Sequence, residues 1–178
     1  TADRVKAIEA GGDDFLLKVE GLKKHFPIRK GLLGRTVGYV YAVDGVSFAI
    51  RKGETLGLVG ESGCGKSTIG RSLLRLYDAT DGRIFFQGTD ISKLNPGEMI
   101  RFRTKMQMIF QDPYSSLNPR LRVREIVGEA LRVHHLAPGG DWTDRVRQLL
   151  AEVGLQPDHM ARYPHEFSGG QRQRIGVA

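Results

Sequence analysis

Nine consecutive residues, Gly60-Glu61-Ser62-Gly63-Cys64-Gly65-Lys66-Ser67-Thr68, constrain this chain more than any other stretch. They match G-x-x-x-x-G-K-[ST] with nothing missing, a pattern whose glycines let backbone N–H groups turn inward around a polyphosphate. Such a loop needs a strand before it and a helix after it. Residues 55–59 (Thr-Leu-Gly-Leu-Val) read as a short buried strand, and Ile69, Leu73, Leu76 and Tyr77 recur at helical spacing. The helix starting near Gly65 would point its positive end at the anion. Lys66 is expected on the β and γ phosphates, with the Ser67 hydroxyl on Mg²⁺.

A phosphate loop is shared by kinases, GTPases, helicases and transport ATPases, so a second motif has to decide among them. Phe167-Ser168-Gly169-Gly170-Gln171 precedes the helical stretch Arg172-Gln173-Arg174-Ile175. A serine and two glycines at a helix start leave N–H donors for a second anion site. This segment resembles the signature motif of ATP-binding cassette (ABC) ATPases, commonly L-S-G-G-Q, with Phe167 in place of the leucine. Gln111, at the end of the apolar run 106–110, resembles the Q-loop glutamine of the same family. The three elements stand in the family's order, and the resemblance extends from Phe15 onward. Three stretches narrow it: Gln111-Asp112-Pro113-Tyr114-Ser115-Ser116-Leu117-Asn118-Pro119-Arg120, Tyr41-Ala42-Val43-Asp44-Gly45-Val46-Ser47 and Tyr163-Pro164-His165-Glu166-Phe167. These are similar to the ATPase subunits of bacterial dipeptide, oligopeptide and nickel importers.

The resemblance implies an α/β fold: a P-loop NTPase core of ABC type with an antiparallel β portion and an α-helical insert. It divides the chain into a loose extension (1–14), an ATP-binding core (15–111), a helical subdomain ending in the signature (112–171) and the start of the signature helix (172–178). It implies ATP and Mg²⁺ as cofactors. Residues 60–68 would hold the phosphates, Ser67 and Gln111 the metal, and Lys66 and Gln111 would serve hydrolysis. Ser168, Gly169, Gly170 and Gln171 would act in trans, on ATP held by a second ATPase subunit, because the helical insert carries the signature away from its own loop. Two membrane permease subunits, and indirectly an extracytoplasmic solute-binding protein, are the implied partners at the cytoplasmic face of the bacterial inner membrane. The cargo is expected to be a di- or oligopeptide, with nickel or another small solute as the alternative. A non-transport ABC ATPase and a P-loop kinase stay open; no coiled-coil or zinc-bearing insert marks the first.

Composition fits that reading. Hydrophobic residues make up 40% of the 178, enough for a core, and no apolar run reaches bilayer length. The one cysteine, Cys64, excludes an internal disulfide framework. The net charge of +7 is concentrated near Lys23, Lys24, Arg29 and Lys30 and near Arg120, Arg122 and Arg124. No aromatics are interleaved there for base stacking, so a nucleic-acid partner is not expected.

Further strands are predicted over 15–19, 42–50, 83–87 and 106–110, and a short helix opens at Asn95-Pro96. Val123, Ile126, Val127, Ala130 and Leu131 share one helical face. Val146, Leu149, Leu150 and Val153 share another, with Thr143 as N-cap and Gly154 as stop. The sequence ends inside the helix opening at Gln171. The family continues with the Walker B strand ending in Asp-Glu, then a switch histidine. The expectation is therefore an N-terminal fragment, truncated before that strand and inactive by itself. Phe26, after Lys23-Lys24-His25, stands where the family places an adenine-stacking aromatic; a core phenylalanine is the competing reading, and Tyr39 and Tyr41 are weaker candidates. Residues between Phe26 and Tyr41 read as an insertion. Cys64 reads as a small side chain that fits its loop, His134-His135 point to different helix faces, and His165 and Trp142 read as structural.

Overall fold

The computed structural model describes residues 15–31, 34–110, 116–136 and 142–178, which form two compact units, Thr1–Gln107 and Met108–Ala178. The expected extension at 1–14 and Gln111 lie outside the described residues.

The first unit is built on an antiparallel sheet of order β2-β1-β3-β4. Its strands are β1 (Phe15–Lys30), β2 (Arg35–Arg51), β3 (Asp81–Phe86) and β4 (Thr89–Asp90). Strand β1 buries Leu17, Val19 and Leu22, a spacing of two and then three. Simple alternation would turn Leu22 outward. A register shift between Val19 and Leu22 corrects this, with Gly21 at φ +58° and its N–H donating to Ser47 Oγ at 2.8 Å. On the same strand Lys18 hydrogen-bonds Glu20 at 2.9 Å, and this bond holds the Glu20 carboxyl below its ordinary value. Two helices complete the unit, α1 (Lys66–Leu73) and α2 (Pro96–Arg103). The second opens as expected: Asn95 Oδ1 accepts from Glu98 N at 2.9 Å, Glu98 returns the bond to Asn95 N, and Pro96 takes the first helical position. Met99 and Phe102 then reach the core, where Phe102 meets Phe86 edge-on at 6.2 Å.

Several expectations are corrected. Residues 55–59 and 106–110 are not strands. Leu56, Leu58 and Val59 are 43%, 45% and 91% exposed, and Ile109 and Phe110 are exposed as well. Among the described residues no strand pairs with either run, and without a ladder partner an apolar run has nothing to hold it extended. Helix α1 stops at Leu73, short of Leu76 and Tyr77. Arg75 turns left-handed there (φ +54°), its guanidinium held by Ile91 O at 2.6 Å and Asp78. The supposed insertion between Phe26 and Tyr41 is the outer part of a hairpin that continues β1 and β2. Strand β3 ends at Phe86, because Gln87 and Gly88 both take positive φ in a two-residue turn.

The second unit is helical: α3 (Val123–Val133), α4 (Trp142–Glu152), two 3₁₀ turns (Pro157–Ala161 and Pro164–Glu166) and α5 (Gly169–Val177). Val123, Val146 and Leu150 are fully buried, with Phe167 and Ile175 in the same core. Trp142 packs so closely on α3 that a Cβ at Gly128 would lie 2.5 Å from its ring. Thr143 is not an N-cap, since α4 already includes Trp142; Gly154 follows the helix at φ +73°. Among the described residues no helix is long and apolar enough to cross a membrane.

Candidate functional site

The loop at 60–68 is shaped by its glycines. Gly65 caps α1 at φ +95°, and a Cβ there would lie 2.2 Å from the Ala42 carbonyl oxygen of β2. Only glycine satisfies both the left-handed backbone and that close approach. Gly60 (φ +154°) sits under Cys64, whose Sγ would be 2.6 Å from a Cβ at 60. The cysteine thus fills space above a glycine. Beyond Gly65 the first hydrogen bond of α1 runs from Ile69 N to Gly65 O at 2.9 Å. The N–H groups of Lys66, Ser67 and Thr68 have no intrahelical acceptor, and among the described residues no side chain caps this end. Three N–H donors and the helix dipole therefore meet at one point.

Lys66 belongs to the same loop. Its Nζ donates to Gly60 O at 2.7 Å and Glu61 O at 2.6 Å, with Cys64 Sγ at 3.4 Å. The ammonium is thus held over the loop it would share with an anion. Ser67 is exposed beside it, and Glu61, Ser62 and Gly63 (φ +85°) form the exposed outer turn. The donor set fits a polyphosphate: cation, uncapped N–H groups and a cradle that a Cβ would fill. Among the described residues no group of three or more His, Cys, Asp or Glu could hold a metal ion. A Mg²⁺ here would be held through phosphate oxygens and the Ser67 hydroxyl.

The segment at 168–171 is built differently. Ser168 is the N-cap of α5: its Oγ accepts from Gln171 N at 3.4 Å, while Gln171 Oε1 accepts from Ser168 N at 3.0 Å. The serine hydroxyl and the glutamine amide are thus engaged with each other's backbone, leaving the N–H groups of Gly169 and Gly170. Neither glycine has positive φ, and among the described residues a Cβ at either would meet nothing within 4 Å. Phe167, where leucine is commoner, is 3% exposed, lies edge-on to His159 at 5.2 Å, and its carbonyl accepts from Arg172 Nε at 2.9 Å. Its ring anchors the motif to the core of the second unit.

Phe26 lies on β1, half-buried, with Tyr77 edge-on at 5.4 Å and Lys24 Nζ 4.9 Å from its ring centroid. Its pairing explains its side of the sheet. Lys24 pairs with Val43, whose Cγ2 would be 3.7 Å from a Cβ at Gly65, so Lys24 and Phe26 share the face on which the loop rests. Tyr41 pairs with His25 on the opposite face, with ring centroids 4.4 Å apart. His165 stacks on Tyr163, and His134 and His135 close the end of α3, His135 at φ +52°.

A family model described as "ABC transporter" matches residues 43–178. The chain belongs to the ABC transporter family. Curated relatives share more than half of their aligned residues with this ABC transporter chain. The oligopeptide transport ATP-binding protein AppF of Bacillus subtilis is 54% identical over 95% of the chain and 52% of its own length. OppF of the same organism is 54% identical over 92% and 52%. The glutathione import ATP-binding protein GsiA of Escherichia coli is 55% identical over 92% of the chain and 26% of its own length. The chain thus spans about half the length of the Bacillus relatives it matches. A dimeric ATP-binding cassette in a post-hydrolysis state bound to ADP and Pi superposes with a TM-score of 0.75 at 24% identity, over 90% of this chain and 67% of that one. The cbiO1 protein of Clostridium perfringens, part of the ABC transporter complex cbiONQ, gives 0.66 at 24% identity, over 92% and 60%. The fold is that of an ABC cassette.

Two features escaped sequence reading. Ser168-x-x-Gln171 is a capping box, and its Ser-x-x-Gln spacing is the signal that could have revealed it. Tyr77, read as part of the α1 periodicity, is instead the ring that meets Phe26.

Proposed function

We propose that this chain is the ATP-binding part of an ABC importer ATPase, whose reaction is transfer of the ATP γ-phosphoryl group to water. The observation that carries this is the loop at 60–68, where a glycine-only turn, three uncapped N–H groups and the Lys66 ammonium converge. Lys66, the N–H groups and Ser67 would bind and orient the phosphates, and Phe26 would stack on the base. Gln111 would sense the metal and the attacking water. Mg²⁺ supplies charge neutralisation at the β and γ oxygens. Catalysis of this kind is chiefly positioning and electrostatic stabilisation, which is what a preorganised loop provides.

Ser168, Gly169, Gly170 and Gln171 would meet nucleotide held by a second ATPase subunit, identical or different. Room above both glycines supports this, since the fold of the second unit requires no glycine at either position. Two permeases would hold the pair at the cytoplasmic face of the inner membrane, fed by a solute-binding protein. The names of the relatives support di- or oligopeptides as cargo. The test is reconstitution of the full chain with its permeases in proteoliposomes. ATP-dependent uptake of a labelled peptide, abolished by Lys66→Ala, is expected. Uptake indifferent to Lys66→Ala, or no phosphate release from ATP, would contradict the proposal.

A further inference from the structure

Helix α1 carries the phosphate loop at its N-terminus. Near its other end it is linked, through Arg71 and Tyr77, to the strand that carries Phe26. Arg71, in the last turn of α1, donates from Nη1 to Tyr77 OH at 3.2 Å, and its guanidinium lies 5.7 Å from the Tyr77 ring centroid. Tyr77 in turn meets the Phe26 ring at 5.4 Å and 86°, nearly perpendicular. Lys24 closes the group: its Nζ lies 4.9 Å from the Phe26 centroid and 5.9 Å from that of Tyr77, and it donates to Asp78 O at 2.8 Å.

The chemistry of this group is directional. An edge-to-face aromatic contact fixes a ring's tilt, and a cation over a π face restrains it further. Phe26 by itself would be a half-buried side chain on a hairpin with rotamer freedom. Tyr77 gives its ring one orientation and ties that orientation to the helix holding the phosphates. The span is set by α1, eight residues at a rise of about 1.5 Å each. A base platform on β1 that is tied through Tyr77 and Arg71 to the helix bearing the phosphate cradle keeps a constant separation from it. That is the geometric requirement for recognising both ends of one nucleotide.

We propose that Tyr77, held by Arg71, is a positioning residue for the nucleotide base, acting through Phe26. This rests on the reading of Phe26 as the base platform. The test is calorimetric titration of the full chain with ATP and, separately, with inorganic tripolyphosphate. Parent, Phe26→Ala, Tyr77→Ala, Tyr77→Phe and the double Phe26→Ala/Tyr77→Ala variants are compared. Tyr77→Ala should weaken ATP binding by roughly two- to tenfold, the range an aromatic pair supplies, and leave tripolyphosphate unchanged. Tyr77→Phe, which keeps the ring, should recover most of the ATP affinity, and Tyr77→Ala should add nothing once Phe26 is removed. If Phe26→Ala weakens ATP binding and Tyr77→Ala does not, the inference fails and the platform stands. The inference also fails if Tyr77→Ala weakens both ligands equally, which marks a merely structural ring. If Phe26→Ala leaves ATP affinity unchanged, the platform reading falls and the inference with it.

Discussion

Two helices of this chain begin behind glycines and a serine, and they begin in opposite ways. At α1 the glycine is compulsory: Gly65 is left-handed and pressed against the Ala42 carbonyl, and the first N–H groups of the helix have no cap. At α5 the helix caps itself through Ser168 and Gln171, and neither Gly169 nor Gly170 is needed by backbone or packing. The first start gathers uncapped N–H donors and the Lys66 ammonium around its own loop. The second satisfies itself and keeps a clear surface above its glycines. A glycine that its own fold does not require costs helix stability, so its use has to lie in what approaches from outside. Similar motifs thus have different physics, one leaving its first N–H groups uncapped and one capping itself beneath an open face.

The comparison can be broken by substitution, and the largest effect is expected at Gly65. Gly65→Ala combines a disfavoured positive φ, about 1–3 kcal/mol, with a backbone clash, and should abolish nucleotide binding by the full chain in calorimetry. Binding retained within a few fold would mean that the Ala42 contact yields. Lys66→Ala should come next. Loss of a charge-assisted phosphate contact is worth roughly 1.5–3 kcal/mol, or about ten- to a hundredfold in nucleotide affinity. Smaller again is Ser168→Ala, which removes the N-cap of α5 and should lower unfolding stability by about 1 kcal/mol while nucleotide affinity stays put. Smallest is Gly170→Ala: replacing glycine with a better helix former should stabilise the fold by roughly 0.5–1 kcal/mol, read as a higher midpoint in urea. A lower midpoint would show that α5 needs that glycine for its own packing.

How far the sequence carried the account depended on how local each feature is. The phosphate loop was legible because its glycines answer to a pattern eight residues long. The start of α2 was legible because Asn95 and Pro96 act within one turn. The faces of α3 and α4 followed from periodicity, as Val123, Val127, Val146 and Leu150 confirm by their burial, although Ala130, read onto the same face, is exposed. Strands fared worse, since a strand is a property of two segments. Residues 55–59 and 106–110 have strand-like composition and no described partner, while β1 and β2 run on to Lys30 and back from Arg35 because they have each other. The bulge at Gly21 that turns Leu22 inward depends on a hydrogen bond to Ser47, 26 residues away. At the site, Lys66 and Ser168 were readable as motif members. That α1 begins without a side-chain cap was visible only in three dimensions.

On the proposed function the two helix starts divide the work, one binding nucleotide and the other serving nucleotide on a second subunit. Ser168→Arg tests it most directly, by adding a long side chain at the start of α5 while residues 60–68 keep their sequence. The full chain, with its partner ATPase subunit, would be sized by light scattering with a non-hydrolysed ATP analogue, and its nucleotide affinity measured alongside. The account predicts unchanged affinity and no nucleotide-driven pairing in the variant, against pairing in the parent. Equal pairing in both, or loss of nucleotide affinity in the variant, would contradict it.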